Sequence, residues 1–224
     1  MTEREKMYGG MIFDSHDPEL AAELKRSRRL CDRYNALSVD DEEERLAILK
    51  ELFGTEDFGD FRAMERPMYI DNGRDITIGK NFYSNIYFHF SGGNRVTIGD
   101  NVMIGPCCTL ATGFHSLVAG ERRMQTDERG GTHSYEYGGP IHIGNDVWIA
   151  AHVTICGGVT IGDGSVIGAG SVVTRDIPDW SFAAGNPCRV IRKITEADRK
   201  YYFKDRELDE EVDAELRAKL EGIR

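Results

Sequence analysis

An aliphatic residue recurs every six positions over residues 143–173, and this period constrains the fold more than any other feature of the sequence. The series begins at Ile143 and continues without a slip through Ile149, Ile155, Ile161, Ile167 and Val173. A strand of an open sheet alternates every two residues and stops at a turn, and an amphipathic helix repeats about every 3.6 residues. Neither element keeps a period of six over this length. The pattern therefore predicts a solenoid in which each hexapeptide forms one short strand and one bend.

The residues around the series indicate the cross-section of the solenoid. Small residues such as Gly144 follow most of the aliphatic ones, and small or branched residues such as Val147 occupy the fifth place of each hexapeptide. Small residues let the chain bend, while the aliphatic side chains fill a narrow interior. Three hexapeptides close a triangular coil of 18 residues, so that Ile143, Ile161 and the position after Pro178 stack on one edge. The predicted fold class is mainly β, a parallel β-helix, rather than ordinary β structure rich in glycine turns.

A second block keeps the same period but is out of register with the first. Ile98, Ile104 and Leu110 are six residues apart, yet Leu110 and Ile143 are 33 positions apart, which is not a multiple of six. Part of the chain between the blocks must therefore leave the coil. The charged, glycine-rich segment 116–139 lacks the period, and we expect it to be that loop insertion. A long loop on a rigid solenoid is more often functional than not.

Two helices are predicted before the repeats, in residues 17–53. Asp17 followed by Pro18 is an N-cap and first-turn signal. A second helix should run from about Asp40 to Phe53, because Gly54 is a typical stop. Its predicted apolar stripe consists of Leu46, Leu49 and Phe53.

One further helix is predicted after the repeats. The segment TEAD at 195–198 resembles a capping box. Four apolar residues then follow at four-residue spacing, namely Leu208, Val212, Leu216 and Leu220. The predicted organisation is an N-terminal helical domain (1–58), the β-helix with its insertion (59–194) and a C-terminal helix (195–224).

Composition argues against several classes of partner. The formal net charge of −10 disfavours nonspecific binding to nucleic acid or to anionic membranes. No apolar run approaches the roughly 18 residues of a membrane span, and the polar start MTEREKMYGG is unlike a secretory signal. The five cysteines are odd in number and form no CxxC pair, so we expect unpaired cysteines in a cytoplasmic protein. No residue is assigned to a metal.

Segments from nearly the whole chain resemble one branch of a known enzyme family. They are TEREKMYGGMIF, LKELFG, IGKNFYSN, VTIGDNVMIGP, PIHIGNDVWIAAHVTI, GVTIGDGSVIGAGSVVTRDIP and AAGNPCRVIRKI. The branch comprises the maltose and galactoside O-acetyltransferases and the nodulation-factor acetyltransferases, within the hexapeptide-repeat acyltransferases. The resemblance implies a left-handed parallel β-helix and a homotrimer with active sites at the subunit junctions. It also implies transfer of acetyl from acetyl-CoA to a hydroxyl of a small sugar.

His115 is the candidate general base. An alcohol attacks well only as its proton is removed, and a histidine, with an ordinary pKa of about 6.5, can take that proton at neutral pH. His115 stands where the second block ends in LATGFH and the chain leaves the coil, and the resemblance implies that it is the catalytic histidine. No Cys or Ser lies in a recognisable nucleophile motif, so we expect direct transfer. A structural role for His115 stays open, and His133 in the same loop is the competing base.

The resemblance also implies residues that bind the acceptor. Asp71 in YIDNG and Asn85 in FYSN match acceptor-binding positions, Tyr83 would line the same site, and Asp14 could reach a neighbouring site. Carboxylates and amides are usual partners of sugar hydroxyls, while turn capping is the alternative role for Asp71 and Asn85. Galactoside enzymes carry an acidic residue just before a VTIG hexapeptide, where this chain has Gly93. That departure weakens galactosides as the expected acceptor.

The insertion adds a second departure, because it is longer than we expect for the sugar enzymes. It lies beside His115 in the sequence, so the choice of acceptor could differ. Glu136, four residues before Pro140, could orient His115 or the substrate. A solvated loop carboxylate is the alternative role for Glu136.

An acidic protein that binds the phosphates of CoA needs local cations. Arginine offers planar, bidentate donors to phosphate, and the resemblance implies that CoA contacts Ala151, Ala169, Thr174, Arg175, Arg189 and Arg192. The alanines would leave room for the pantetheine arm along the coil, although they also satisfy the repeat. A solvated surface role stays open for the arginines.

Three other functions are compatible with a hexapeptide solenoid. An acetyltransferase could use a non-sugar acceptor, such as an antibiotic or an amino alcohol. A non-enzymatic scaffold or ligand-binding trimer would need neither His115 nor the late arginines. A γ-type carbonic anhydrase needs several histidines that converge on zinc, and His142 and His152 are ten residues apart, with no close companion for His115.

Overall fold

The structure is a computed structural model that describes residues 1–56, 63–199, 201–203, 206–207 and 209–221. Helices in these ranges are α1 (Glu3–Tyr8), α2 (Pro18–Ala36), α3 (Glu42–Phe53) and α4 (Glu210–Glu221). The strands up to the insertion are β1 (Phe13–Asp14), β2 (Ala63–Met64), β3 (Met68–Ile70), β4 (Ile76–Ile78), β5 (Tyr83–Ser84), β6 (Phe88–Ser91), β7 (Val96–Ile98), β8 (Met103–Ile104) and β9 (Thr109–Ala111). The strand β10 (Gly113–Phe114) directly precedes the insertion, which contains β11 (Gln125–Thr126), β12 (Thr132–His133) and β13 (Tyr135–Gly138). The later strands are β14 (Ile141–Ile143), β15 (Trp148–Ile149), β16 (Thr154–Cys156), β17 (Thr160–Ile161), β18 (Val166–Ile167), β19 (Val172–Val173), β20 (Ser181–Ala184), β21 (Arg189–Lys193), β22 (Tyr201–Phe203) and β23 (Arg206–Glu207).

Three parallel sheets form the faces of a triangular column. Sheet I contains β3, β6, β9, β16 and β19, sheet II contains β4, β7, β14 and β17, and sheet III contains β2, β5, β8, β15, β18 and β20. The antiparallel strand β21 is added to the end of sheet III. Each coil passes from sheet III to sheet I and then to sheet II. The prediction of a mainly β, parallel β-helix flanked by helices is confirmed.

The column has three corners, each of which joins two sheets. The first corner leads from sheet III to sheet I, the second from sheet I to sheet II, and the third from sheet II to sheet III. Strand register stacks equivalent residues of successive coils, so each corner is a column of residues that are far apart in sequence. This stacking brings the candidate site residues together or keeps them apart.

Coil length varies along the column. Phe90 pairs with Leu110, 20 residues later, whereas Ile143 pairs with Ile161, 18 residues later, as predicted. The prediction that the position after Pro178 stacks on Ile143 and Ile161 was wrong, because Ile177 bridges to Ile161 instead. The chain turns more tightly there, and the Asp176 carboxylate of this turn accepts a hydrogen bond from the Thr160 backbone N–H at 2.8 Å.

The interior of the column is apolar, as the hexapeptide series predicts. Ile149, Ile155, Ile161, Ile167 and Val173 have no exposed surface. Complete burial of such side chains contributes about 1.5–3 kcal/mol each relative to exposure. The series is therefore the core of the protein as well as the signal of its fold.

The polar pairs after each IG, as in IGDN and IGND, form a ladder at the third corner. Successive coils are joined by a backbone N–H that donates to the polar side chain of the next coil: Lys80 to Asp100 at 2.7 Å, Asp100 to Asn145 at 2.9 Å, Asn145 to Asp163 at 2.7 Å and Asp163 to Asp179 at 3.1 Å. The second residue of the pair is left-handed, with φ of 59° at Asn101 and 57° at Asp146. Asn and Asp tolerate that conformation better than other residues with a side chain. The motif is thus explained by corner geometry.

The N-terminal helices close one end of the column. Buried Leu30 and Tyr34 of α2 belong to the same apolar core as the solenoid interior, and the Tyr34 hydroxyl donates to the Met64 carbonyl at 2.6 Å. Asn35 adds two hydrogen bonds to the backbone of Met68, at 2.8 and 2.9 Å. The first coil is thereby covered by α2.

Both predicted N-terminal helices are present, with one error in detail. Asp17 caps α2 by accepting from the backbone N–H of Glu19 at 3.0 Å, and Gly54 ends α3 with a left-handed φ of 67°. In the predicted stripe of α3, Leu49 and Phe53 are buried but Leu46 is 41% exposed. Ile48 and Leu52 are buried instead, because α3 faces the column through a stripe shifted around its axis.

The short helix α1 was missed by the sequence analysis. It begins with a capping box in which Thr2 and Glu5 each accept from the other's backbone N–H. The S/T-x-x-E signal of this box stands in TERE and could have been found. The predicted boundary at residue 58 lies outside the described residues.

The insertion is built from short strands rather than from irregular loop. The strand β13 pairs antiparallel with β10 on one side and with β1 on the other, so that Glu136 lies opposite Phe13. The strands β11 and β12 form a separate hairpin. Leu110 and Ile155 pair across the insertion although they are 45 residues apart.

The C-terminal helix begins later than predicted. The TEAD segment starts only a 3₁₀ turn at Glu196–Arg199, and the α-helix occupies Glu210–Glu221. The predicted stripe includes Leu208, which lies outside the described residues. No helix in the described part of the chain is both long and apolar enough to cross a membrane.

Candidate active site

The second corner brings His115 and Asp71 into one column although they are 44 residues apart in sequence. Asp71 follows β3, and its backbone N–H donates to the Phe90 carbonyl of the next coil at 3.1 Å. Phe90 pairs with Leu110 of the coil after that, and the chain then leaves the column through β10, directly before His115. Parallel register thus sets the acidic residue and the histidine at the same corner.

A cleft of about 750 Å³ lies at this corner, between the N-terminal segment and the column. His115, Asp71 and Glu136 all line it, together with His16 and Arg28. The His115 side chain is exposed, while Glu136 is half-buried. A solvent-accessible imidazole beside carboxylates in a concave site can remove a proton from a bound hydroxyl.

The Asp71 carboxylate has two partners in the cleft. It accepts from an Arg28 guanidinium nitrogen at 3.2 Å and from the Gly92 backbone N–H at 3.3 Å. Sequence reasoning did not single out Arg28. The cationic run in ELKRSRR puts Lys25, Arg28 and Arg29 on one helix face, and all three line the cleft, but only the docking of α2 shows where that face points.

A buried carboxylate forms part of the cleft wall. Asp75 is 4% exposed and accepts from the Tyr8 hydroxyl at 2.6 Å and from the Asn72 amide at 2.8 Å. Burial raises the pKa of Asp75, and these two donors and the nearby Arg4 oppose the shift. The hydrogen-bonded group ties α1 to the second corner.

Gly93 has no space for the acidic side chain that galactoside enzymes carry there. A Cβ atom at this position would lie 2.5 Å from the Cα of Gly113 and 2.8 Å from its nitrogen. A Cβ at Gly138, in β13, would collide with the Gly93 carbonyl oxygen. The returning strand of the insertion therefore packs directly on this position.

A second cavity of about 550 Å³ adjoins the cleft and shares Arg28, Asp32 and Asp71 with it. The tyrosines Tyr69 and Tyr87 line it, and they are 50% and 49% exposed. Together the two cavities form a continuous depression with charged walls.

Asp14 does not line the cleft of its own chain, and its expected reach to a neighbouring site stays a prediction. Its carboxylate accepts from the His133 ring at 2.6 Å and from the backbone N–H groups of Ser134 and His16, both at 3.0 Å. The other ring nitrogen of His133 lies 3.3 Å from the Asp127 carboxylate. Both ring nitrogens of the alternative base are therefore engaged within the insertion and β1.

Tyr83 and Asn85 lie away from His115 within one chain. Tyr83 belongs to sheet III, and Asn85 follows it at the first corner, where its side-chain oxygen accepts from the Ile86 backbone N–H at 2.8 Å. The width of sheet I separates this corner from the second one. Neither residue lines the two cavities described above.

The expected CoA residues fall into two groups. Ala151 and Ala169 occupy equivalent places in successive coils at the first corner, since the Ala151 carbonyl accepts from Gly170 at 2.9 Å. Arg189 lies beside them, because it pairs with Ala184 at the end of β20. Thr174 and Arg175 are exposed at the second corner instead. The expected CoA-binding residues of one chain therefore do not line a single groove.

Arg192 already has an anionic partner. Its guanidinium makes two hydrogen bonds to the Asp198 carboxylate, at 2.8 and 2.6 Å, and lies 5.8 Å from the centroid of the Phe182 ring. The hydrogen bond to Asp198 raises the pKa of Arg192. A phosphate at this position would have to share or displace Asp198.

No group of three or more His, Cys, Asp or Glu side chains in the described ranges could hold a metal ion. Convergent histidines, which the carbonic anhydrase alternative requires, are thus not found among those residues.

Known proteins match the chain along most of its length. Residues 6–56 match the maltose acetyltransferase hexapeptide capping motif, and residues 140–175 match the bacterial transferase hexapeptide (six repeats). The galactoside O-acetyltransferase of Escherichia coli (strain K12) is 41% identical over 95% of this chain and 98% of its own length. The crystal structure of a maltose O-acetyltransferase from Clostridium difficile 630 superimposes with a TM-score of 0.78 at 41% identity, covering 88% of this chain and 99% of that one. A galactoside acetyltransferase in complex with coenzyme A gives a TM-score of 0.80 at 39% identity, with coverages of 93% and 99%.

Proposed function

The chain belongs to the hexapeptide-repeat family of the galactoside and maltose O-acetyltransferases, and on that premise we propose that it is an acetyl-CoA-dependent O-acetyltransferase whose acceptor is a hydroxyl of a small sugar. Membership makes it an acyltransferase rather than a scaffold, and it assigns the left-handed winding of the coil. The observation that carries the proposal within this chain is the exposed His115 in a cleft that also contains Asp71 and Glu136.

His115 acts as the general base in this proposal. The imidazole removes the proton of the acceptor hydroxyl as its oxygen attacks the acetyl carbonyl. The C–S bond of the thioester then breaks, and His115 returns the proton to the departing thiolate of CoA. Asp71, held by Arg28 and by the Gly92 backbone, accepts a hydrogen bond from a second hydroxyl of the sugar and so orients the acceptor.

CoA would bind along the corners of the column. The small side chains of Ala151 and Ala169 leave the first corner open to the pantetheine arm, and Arg189 beside them offers donors to a phosphate. Thr174 and Arg175 would contact CoA at the second corner. Arg192 would do so only in exchange for part of its contact with Asp198.

A homotrimer explains why the expected residues are divided between two corners. We propose that the first corner of one subunit faces the second corner of its neighbour. Tyr83 and Asn85 of one copy would then complete the acceptor site around His115 of another. The apolar outer surface of sheet III, where Met103 is 45% and Trp148 is 52% exposed, supports contact with a second copy.

A cytoplasmic location is proposed on separate grounds. All five cysteines are free, and three of them, Cys31, Cys108 and Cys188, are buried. Burial raises the pKa of the Cys31 thiol to about 11, so it stays protonated and unreactive. Unpaired cysteines of this kind are usual in a reducing compartment.

The decisive experiment is an acceptor screen with wild type and His115→Ala. Thiol release from acetyl-CoA should depend on a sugar acceptor, and the variant should lose at least about 100-fold in turnover because the general base is gone. CoA affinity, measured by calorimetry, should be retained. His142→Ala is the matched control, since His142 is exposed on sheet II, away from the cleft.

Two results would oppose the proposal. Unchanged turnover in His115→Ala would remove His115 from the mechanism. Acetylation of amino alcohols or antibiotics but of no sugar would favour the non-sugar alternative.

A further inference from the structure

The strongest unexplained feature is His133, which lies between two carboxylates outside the cleft. Its Nδ1 is 2.6 Å from Asp14 Oδ2, and its Nε2 is 3.3 Å from Asp127 Oδ2. Asp14 belongs to the N-terminal segment and Asp127 to the turn of the inserted hairpin. The ring therefore joins two parts of the chain that are more than one hundred residues apart.

Only one protonation state of the ring satisfies both contacts. A neutral imidazole carries one N–H donor, whereas the imidazolium carries two, and ionised carboxylates can only accept. With the neutral ring, one nitrogen lone pair would face a carboxylate oxygen. The two contacts together therefore favour the charged form of His133.

The contact fixes a strand that reaches the cleft. Directly after His133, the Ser134 backbone N–H donates to Asp14 at 3.0 Å, and the Ser134 carbonyl accepts from the Ser15 backbone at 2.9 Å. The strand β13 then pairs with β1, which puts Glu136 opposite Phe13. Glu136, three residues after His133, lines the cleft with His115.

We infer that His133 is a positioning residue that clamps the insertion onto β1 while its imidazole is charged, and so holds Glu136 in the cleft that also contains His115. The inference rests on the proposed acetyl transfer to a hydroxyl acceptor. It deepens that function by naming Glu136 as an acceptor-binding residue of this chain. Gly93 stands at the position where galactoside enzymes carry an acidic residue, so Glu136 would supply the carboxylate instead.

Other charged groups near the clamp belong to α1 and to the insertion. Glu3 accepts from the Asp14 backbone N–H at 2.7 Å and pairs with Lys6. The Tyr135 ring stacks on the imidazole with centroids 6.3 Å apart. Lys6 also interacts electrostatically with Asp14, and its charge is already paired with Glu3.

The pH range of the clamp follows from the direction of three shifts. Hydrogen bonds to Asp14 and Asp127 raise the pKa of His133 above its ordinary value. Burial alone would raise the pKa of Asp14, but the hydrogen bonds that it accepts from His133 and from backbone N–H groups outweigh burial and lower it. Hydrogen bonds from backbone N–H groups and from His133 also lower the pKa of Asp127. The clamp is therefore closed above the lowered pKa values of the carboxylates and opens as pH rises through the raised pKa of His133.

Hydrogen exchange of residues 125–138 tests the clamp without reference to activity. In the wild type, protection corrected for intrinsic rates should fall as pH rises through the pKa of His133. His133→Gln, which cannot be charged, should show low protection that does not vary with pH. His142→Gln, a surface histidine on sheet II, should behave as wild type. Equal, pH-dependent protection in wild type and His133→Gln would overturn the inference.

Kinetics then test the link to the acceptor. His133→Gln should raise the KM for the acceptor about tenfold near neutral pH, with a smaller change in kcat, because a displaced group costs up to about a hundredfold. Glu136→Gln should raise the same KM while leaving the exchange of residues 125–138 unchanged. An unaltered acceptor KM in both variants would show that the clamp does not serve the site. Absence of transfer by the wild type would refute the proposed function instead, and the exchange data would still decide whether the clamp exists.

Discussion

Gly93 lines the cleft at a position where backbone packing leaves no room for a side chain. The position is surrounded by backbone atoms of Gly113 and Gly138, so no acidic side chain can stand there. Gly113 of β10 and Gly138 of β13 allow these strands to approach the second corner closely before the chain re-enters the column. The carboxylates of Asp71 and Glu136 still line the same cleft, and the proposed role of Glu136 is to make the acceptor contact that Gly93 cannot make.

Gly93→Ala should destabilise the protein by about 2 kcal/mol, because an added methyl group in a tightly packed site forces the backbone to shift. Urea unfolding monitored by circular dichroism measures the change. Gly120→Ala is the control, since a Cβ at Gly120 would meet nothing within 4 Å. Equal stability of the two variants would contradict the packing argument.

At the scale of elements, the polar ladder of the third corner links each coil to the next. The Asp163 carboxylate accepts from the Asn145 backbone N–H at 2.7 Å, and the Asp163 N–H donates in turn to Asp179 at 3.1 Å. Side-chain acceptors at this corner replace the strand hydrogen bonds that the bend interrupts. The ladder therefore stabilises the stacking of coils without any contact in the core.

Asp163→Ala should lower the free energy of unfolding by about 1 kcal/mol or more, since it removes the acceptor of two hydrogen bonds, from the Asn145 backbone N–H at 2.7 Å and from the Asn145 side-chain amide at 3.3 Å. Asp163→Asn keeps an oxygen in the same place and should retain most of that stability. Thermal unfolding of the two variants in parallel provides the comparison. A loss of equal size in both would mean that charge, and not the acceptor, matters at this corner.

Periodic elements could be predicted from the sequence, and interruptions of the period could not. Burial of one side chain per hexapeptide leaves a direct record in the sequence, as at Ile149 and Ile155, so the column was predicted closely. The tight turn before Ile177 and the late start of α4 depend on local hydrogen bonding that has no period. His115 and Asp71 were both selected, but the role of His133 could not be, because its partner Asp14 is brought to it only by pairing of β1 with β13.

For the whole molecule, the arrangement of the corners determines what a single chain can do. His115 and Asp71 share the second corner, whereas Asn85, Ala151 and Ala169 lie at the first. A cleft that holds the proposed base and one proposed acceptor-binding residue is thus present in each chain. The remaining residues can serve the same reaction only if a neighbouring subunit supplies them, which is common in closed, symmetric oligomers.

Mixed oligomers provide the sharpest test of this arrangement. His115→Ala and Asn85→Ala should each be nearly inactive alone. Co-expression in equal amounts should restore about a quarter of the wild-type sites, because about half of the second corners and about half of the neighbouring first corners are intact after random assembly. The matched control combines His115→Ala with Asp71→Ala. Both residues lie at the second corner of one chain, so no mixture of these two variants can assemble an intact site, and activity should stay low. No recovery in the first mixture would mean that Asn85 serves the His115 of its own chain. Recovery in the control would mean that His115 and Asp71 act from different subunits.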